Sequence, residues 1–253
     1  DIGIVLTAHP TEVKRRTLIQ KYANLIELME QRHLYKKYPS KILEIDRKIY
    51  TEITVIWKTD ELKRSKPSPL DEAKWGLAVI EDSLWDTIPK VYKRLNDIFR
   101  KNLGKDLPRG YNPIQFGSWM GGDRDGNPNV TADITKKVIL FSRWQAAKLS
   151  DHQLTKLIHD LCMNDWSSKI RKVTGKTFEP YRVYLRPIRD KIRTTHQAIE
   201  NYLNKNEQLD ESKLLKDKNE ILKPLRDIRE SLNSNNSQYI ANSDLLDLIR
   251  RVR

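Results

Sequence analysis

Cysteine is almost missing from this chain: 253 residues include one, Cys162. A single thiol excludes an intrachain disulfide framework and cysteine-cluster zinc sites, and fits a reducing compartment. Long apolar runs are missing too, and none approaches the ~20 residues that cross a bilayer. No positively charged segment precedes an apolar stretch at the start, so no secretory signal is expected. The chain opens at Asp1 with Ile2–Leu6 reading as a strand already under way, so it is expected to be a piece of a longer polypeptide. Glycine is scarce, with nine in all, but four of them (Gly117, Gly121, Gly122 and Gly126) fall within ten residues and only Gly175 follows. Glycine is costly to order, so it collects where the backbone needs positive φ or close approach. The cluster surrounds Asp123, Arg124 and Asp125, which reads as a shaped loop presenting Arg124 to an anion rather than as a linker.

What is abundant is charge. The chain is 38% hydrophobic, enough for a sizeable core, and 32% charged, with a formal net charge of +13. That balance admits nucleic acid, an anionic surface, or phosphorylated and carboxylated small molecules as partners. The lysines are interleaved with Glu and Asp rather than blocked, which weighs against a nucleic-acid patch. A basic helical nucleic-acid-binding module and a purely structural helical module are the two alternatives to an enzyme.

Periodicity predicts a mainly α fold with one or two short strands. Ile2–Leu6 is a β-branched apolar run, consistent with a buried strand. A helical stripe follows on Leu18, Tyr22, Leu25, Ile26 and Met29, and a second on Ile42, Ile45, Ile49, Ile53, Ile56 and Trp57. Ser68-Pro69-Leu70-Asp71 has the spacing of a capping box with proline at the first helical position. Pro89 is expected to kink or split the helix that starts there. Ile114–Phe116 is a second strand candidate that feeds the glycine loop. Helices are predicted over about 131–165, 180–206, 211–230 and 242–252, with 231–237 a polar loop. The chain divides into a strand and His loop (2–11), a glycine-rich loop (114–130) and a helical region (131–253), all within one helical unit.

Twice a short strand runs into a polar loop and then a helix. Chemistry gathers at the carboxyl ends of strands in barrels and open α/β sheets. If the two strands are parallel neighbours, His9 and Arg124 face one site. His9 precedes Pro10, and Arg15 and Arg16 follow within two turns. Nearby positive charge lowers a histidine's pKa and keeps it able to accept a proton. The guanidinium of Arg124 offers a rigid fork of donors for phosphate or carboxylate, and glycine N–H groups can add more. Asp123 to Asn127 is not a calcium loop: aligned on Gly126, the first and last ligand positions fall on Gly121 and Ala132. Nor is it a Walker loop. His152, His159 and Cys162 lack a second ligand pair, so no metal site is expected there. His33 and His196 are expected on the surface, and Trp75, Trp85 and Trp144 in the core.

Leu6-Thr7-Ala8-His9-Pro10-Thr11-Glu12-Val13-Lys14-Arg15-Arg16 resembles the histidine signature of the bacterial and plant phosphoenolpyruvate carboxylases. Phe116-Gly117-Ser118-Trp119-Met120-Gly121-Gly122-Asp123-Arg124-Asp125-Gly126-Asn127-Pro128 resembles the second, glycine-rich motif of that family. Asn242–Leu246 with Arg250-Arg251-Val252 is similar to the stretch before a further barrel strand. The resemblance implies that the strands belong to an incomplete (β/α) barrel, and that the chain is roughly the second quarter of such an enzyme. It implies conversion of phosphoenolpyruvate and bicarbonate to oxaloacetate and phosphate, an anaplerotic carbon fixation that supplies the tricarboxylic acid cycle. It further implies a cytoplasmic, allosteric homotetramer using Mg²⁺ or Mn²⁺, with no membrane and no nucleic acid as partner. His9 matches the general base. Arg124 matches the substrate-phosphate arginine, with Gly121, Gly122 and Asp123 beside it in substrate binding. Arg15 and Arg16 match either a supporting or an activator anion site. The family's metal ligands and catalytic lysine lie in later sequence, so this chain alone is expected to be inactive.

Overall fold

A computed structural model describes residues 2–7, 16–61, 67–108, 111–123, 127–164, 166–205 and 207–252. The fold is mainly α. Two strands, β1 (Ile2–Leu6) and β2 (Ile114–Ser118), form a two-stranded sheet among ten helices in the described residues. The strands are parallel and paired in register from Ile2↔Ile114 to Leu6↔Ser118. A parallel pair needs a long crossover. Here it contains α1 (Arg16–Leu34), α2 (Pro39–Trp57), α3 (Pro69–Val79) and α4 (Trp85–Leu103).

Helices α1 and α2 pack on each other as a hairpin, tied by Lys21–Glu52 at 3.0 Å and Arg32–Asp46 at 2.5 Å. Leu18 and Ile45 are its buried anchors. The expected inward stripe on α1 holds only in part, since Tyr22, Ile26 and Met29 are exposed. On α2, Ile53 and Trp57 are exposed as well, Trp57 at 88%. The amphipathic period is right, but among the described residues the main packing partner of each helix is the other, which leaves part of a wide apolar face uncovered.

The capping box forms as the spacing predicts: Ser68 Oγ accepts from Asp71 N, and Ser68 N donates to Asp71 Oδ2, both at 3.2 Å. The irregularity expected at Pro89 lies upstream of it. Between α3 and α4 the chain makes one π turn, Ile80–Leu84, and Pro89 is buried within α4. A π turn shifts the backbone ladder by one residue. The Leu77 carbonyl there accepts Gln145 Nε2 at 3.0 Å. Proline has no N–H for the carbonyl four residues back. That carbonyl, Trp85 O, takes Arg251 Nε at 2.6 Å instead.

The C-terminal half is one packed body. It comprises α5 (Ala132–Asp160), α6 (Ser168–Thr174), α7 (Pro180–Lys205), α8 (Asn219–Ser234), α9 (Gln238–Ala241) and α10 (Asp244–Val252). Leu154, Ile170, Tyr181, Leu185, Ile192, Leu225, Ile228 and Leu245 form its center, each under 2% exposed. Several helix boundaries differ from the periodicity. Helix α5 ends at Asp160, and the separate α6 follows. The helix expected from 211 begins at Asn219, after a short 3₁₀ turn at Glu211–Lys213, and it runs on through 231–234. Ser231 lies in that extension, next to the core residue Leu232. It is buried, and its Oγ meets Tyr181 Oη at 2.9 Å and accepts Ser167 N at 2.8 Å. These tertiary partners satisfy the hydroxyl of a residue type that helix interiors do not by themselves favour.

Candidate functional site

The two loops of interest start side by side. Leu6 and Ser118 are register partners at the carboxyl ends of β1 and β2, and Trp119 N donates to Leu6 O at 3.0 Å. The condition set by the sequence, parallel neighbouring strands, is therefore met. His9, Arg15, Arg124, Asp125 and Gly126 lie outside the described residues, as does the side chain of Arg16. The described part of the site is the glycine loop from Gly117 to Asp123.

That loop is a tight turn folded over Trp119. Gly122 N and Asp123 N both donate to Trp119 O at 2.9 Å, and Met120 N donates to Ser118 Oγ at 3.2 Å. The N–H groups of Gly122 and Asp123 are thus engaged within the turn. Gly121 has φ +67°, a region that side-chain-bearing residues rarely occupy. A Cβ there would also lie 2.5 Å from Val138 Cγ2. Trp119 is 60% exposed at the rim.

Two helices hold the loop from behind. The Met120 side chain is buried with Ala73 of α3 and Val138 of α5, with Leu6, Leu70 and Ile134 packed around them. Its Sδ and Cε fill the place where a Cβ on Gly76 would stand. From α5, Thr135 Oγ1 donates to Gly121 O at 2.7 Å. Helix α5 is itself capped one turn earlier, where Thr131 Oγ1 accepts Ile134 N at 3.3 Å. A cleft of about 210 Å³ runs behind the turn, lined by Leu77, Ser118, Met120, Gly122, Thr135 and Val138. Sequence reasoning missed Gly76, Met120 and Thr135. Gly76 did carry a signal, because a glycine inside a helical pattern costs up to ~1 kcal/mol and calls for a packing reason.

Other side chains fall outside this site. Cys162 is exposed, and His159 lies beside Asp160, with Nδ1 3.3 Å from Oδ1. No three His, Cys, Asp or Glu side chains converge as a metal site among the described residues. His196 corrects its surface assignment. It is half-buried and stacked on Trp144 at 5.0 Å, which is stacked on Phe141 at 5.3 Å. Trp75, Trp85 and Trp144 are half-buried rather than core. The Arg250-Arg251 pair is used within the fold. Arg251 binds Trp85 O and Asp86 Oδ1, and Arg250 Nη1 lies 3.3 Å from Asp247 Oδ1. A second polar cluster lies in the packed body, where buried Asp227 accepts from Lys169 Nζ at 2.6 Å and Tyr184 Oη at 2.8 Å. Burial first, and the Asp227 carboxylate second, push the Tyr184 phenol up to about 12.

No described helix is long and apolar enough to cross a membrane. The profile of one family, phosphoenolpyruvate carboxylase, matches residues 1–253. A phosphoenolpyruvate carboxylase from Acinetobacter baumannii is 42% identical over 252 residues, covering 99% of this chain and 28% of the relative. One from Tolumonas auensis is 41% identical over 252 residues, covering 100% of this chain and 29% of the relative. One from Shewanella oneidensis is 39% identical over 256 residues, again 29% of the relative. The chain therefore spans under a third of the length of these relatives. With the two signatures set on adjacent parallel strands and the match running from end to end, the chain belongs to the phosphoenolpyruvate carboxylase family.

Proposed function

We propose that this chain contributes one lip of the active site of a phosphoenolpyruvate carboxylase, with His9 as general base and Arg124 as the grip on the substrate phosphate. The observation that carries the reading is the register Leu6↔Ser118. It makes the His loop and the glycine loop leave the sheet at neighbouring points. Three residues of chain span at most ~11 Å and six at most ~22 Å, so both side chains have the reach to serve one small substrate.

The chemistry follows from the side chains. A bicarbonate oxygen attacks the phosphorus of phosphoenolpyruvate. The bond from phosphorus to the enol oxygen breaks, leaving carboxyphosphate and the enolate of pyruvate. The Arg124 fork neutralises charge on the transferring phosphoryl oxygens, where a fixed cation is worth more than one that must reorganise. His9, followed in the sequence by Arg15 and Arg16, takes the carboxyl proton of carboxyphosphate. The carbon–oxygen bond to phosphate then breaks and releases CO₂. The methylene carbon of the enolate attacks that CO₂ and forms the new carbon–carbon bond of oxaloacetate. Gly121, Gly122 and Asp123 shape the turn that delivers Arg124. The described residues offer no place for the divalent metal that the family implies, so no step here is routed through it. Its ligands and the catalytic lysine would come from the rest of a longer polypeptide, which also makes a cytoplasmic homotetramer part of this reading.

The test is made in that longer polypeptide. His9→Asn should abolish oxaloacetate formation while leaving phosphoenolpyruvate binding near wild type. Activity retained within about threefold would remove His9 as the base. Arg124→Ala should lower kcat/KM for phosphoenolpyruvate by about 10²–10³. The 253-residue chain alone should form no oxaloacetate; measurable turnover by it would defeat the divided-site reading.

A further inference from the structure

We propose that Met120 and Thr135 are positioning residues that set the glycine loop, and through it Arg124, with Gly76 as the seat for Met120. The inference rests on the phosphate-grip reading of Arg124. Met120 is 6% exposed, yet it belongs to a loop whose neighbour Trp119 is open to solvent. Its thioether end lies against Gly76, where any side chain would overlap it. Gly76 sits inside α3 and makes no turn, and alanine would be the better helix former there. The seat accounts for this glycine. An unbranched thioether is suited to an irregular socket of this kind.

The second hold is on the adjoining residue. Thr135 Oγ1 donates to Gly121 O at 2.7 Å, closer than its 3.2 Å approach to Thr131 O within its own helix. Gly121 has φ +67°, and a Cβ added there would overlap Val138, so the position requires glycine. Consecutive loop residues are thus fixed by two different helices, just before the chain reaches Arg124. A shift of ~1 Å in a substrate-holding group can cost ~100-fold in rate. The cleft behind the turn leaves Met120 room to swing aside when its seat is filled. Filling the seat should therefore release the loop's Met120 anchor without unfolding the helices.

The test is a double-mutant cycle in the carboxylase polypeptide that carries this chain. The readouts are kcat and KM for phosphoenolpyruvate, with Tm as a check on folding. Gly76→Ala and Met120→Ala should each lower kcat/KM by about tenfold. The double variant should lose no more than Met120→Ala alone, because the added Cβ then meets no thioether. Thr135→Val should lose about fivefold, whereas Thr135→Ser, which keeps the hydroxyl, should stay within about twofold of wild type. Losses that multiply in the double variant, or wild-type kinetics for a folded Gly76→Ala, would overturn the seat. Equal damage from Thr135→Ser and Thr135→Val would overturn the second hold. If Gly76→Ala does not fold, Met120→Ala and the Thr135 pair still decide: wild-type kinetics for both overturn the inference. Arg124→Ala, measured alongside, separates the two readings. Undiminished use of phosphoenolpyruvate by Arg124→Ala defeats the phosphate grip itself. Its loss, together with wild-type kinetics in the loop variants, leaves the grip standing and removes only the positioning.

Discussion

The two halves of this chain are built for different tasks. From α5 to α10 the helices share one apolar center, and its largest side chains are under 2% exposed. From β1 to α2 the described residues bury only Leu18 and Ile45 among their hydrophobics, while Ile2, Val5, Ile26, Tyr50 and Trp57 stay exposed. Parallel sheets are normally covered on both faces, and here Ile2, Ile4 and Phe116 are open. The histidine signature begins in that sparsely packed region, and the glycine-rich motif lies between α4 and α5. The densely packed half carries none of the proposed chemistry, but through α5 it supplies Thr135 and Val138 to the glycine loop. Rigidity is thus made in one place and used in another.

That contrast can be broken by mutation. The largest effect should come from the packed center: Ile228→Ala should cost about 3–4 kcal/mol in urea unfolding, whereas Ile26→Ala on the exposed stripe should cost under about 0.5 kcal/mol. Equal costs would erase the distinction. Arg251→Ala should come next, at about 2 kcal/mol, because it leaves the Trp85 carbonyl without its side-chain donor. Tyr184→Phe should cost about 1 kcal/mol at neutral pH through the lost bond to Asp227. It should also change the alkaline limb. The folded phenol holds its proton up to about 12 against an ordinary value of 10.0. Its contribution is therefore complete below pH 10 and is lost as pH rises from 10 to 12. Wild type should lose more stability across that window than Tyr184→Phe, and parallel curves would remove the phenol from the account. A modest effect, about 0.5–1 kcal/mol, is expected for Ser68→Ala at the cap of α3.

Local chemistry was legible in the sequence where it acts locally. Both strands, the Ser68–Asp71 box and the long α5 and α7 helices follow from spacing and capping over a few residues. The site was legible as two motifs, and their adjacency hung on whether the strands paired in parallel. What stayed hidden depends on distant partners. Ser231 reads as a loop residue until Tyr181 and Ser167 are beside it. His196 reads as surface until Trp144 stacks on it. Tyr22, Ile26 and Met29 have the period of a buried face, and period alone does not say whether a partner helix is present. Met120 and Gly76 meet across the π turn, α4 and β2, and only the out-of-place helical glycine hints at it.

The contact between Arg251 and the Trp85 carbonyl closes across 166 residues of sequence. During synthesis at ~5–20 residues per second, α4 waits about 8 to 33 s before its clamp exists. The segment bearing Trp85 and Pro89 is therefore expected to be held by α3 and the π turn first and locked only when α10 emerges. On this order of events, a later helix completes the shape of one laid down long before it.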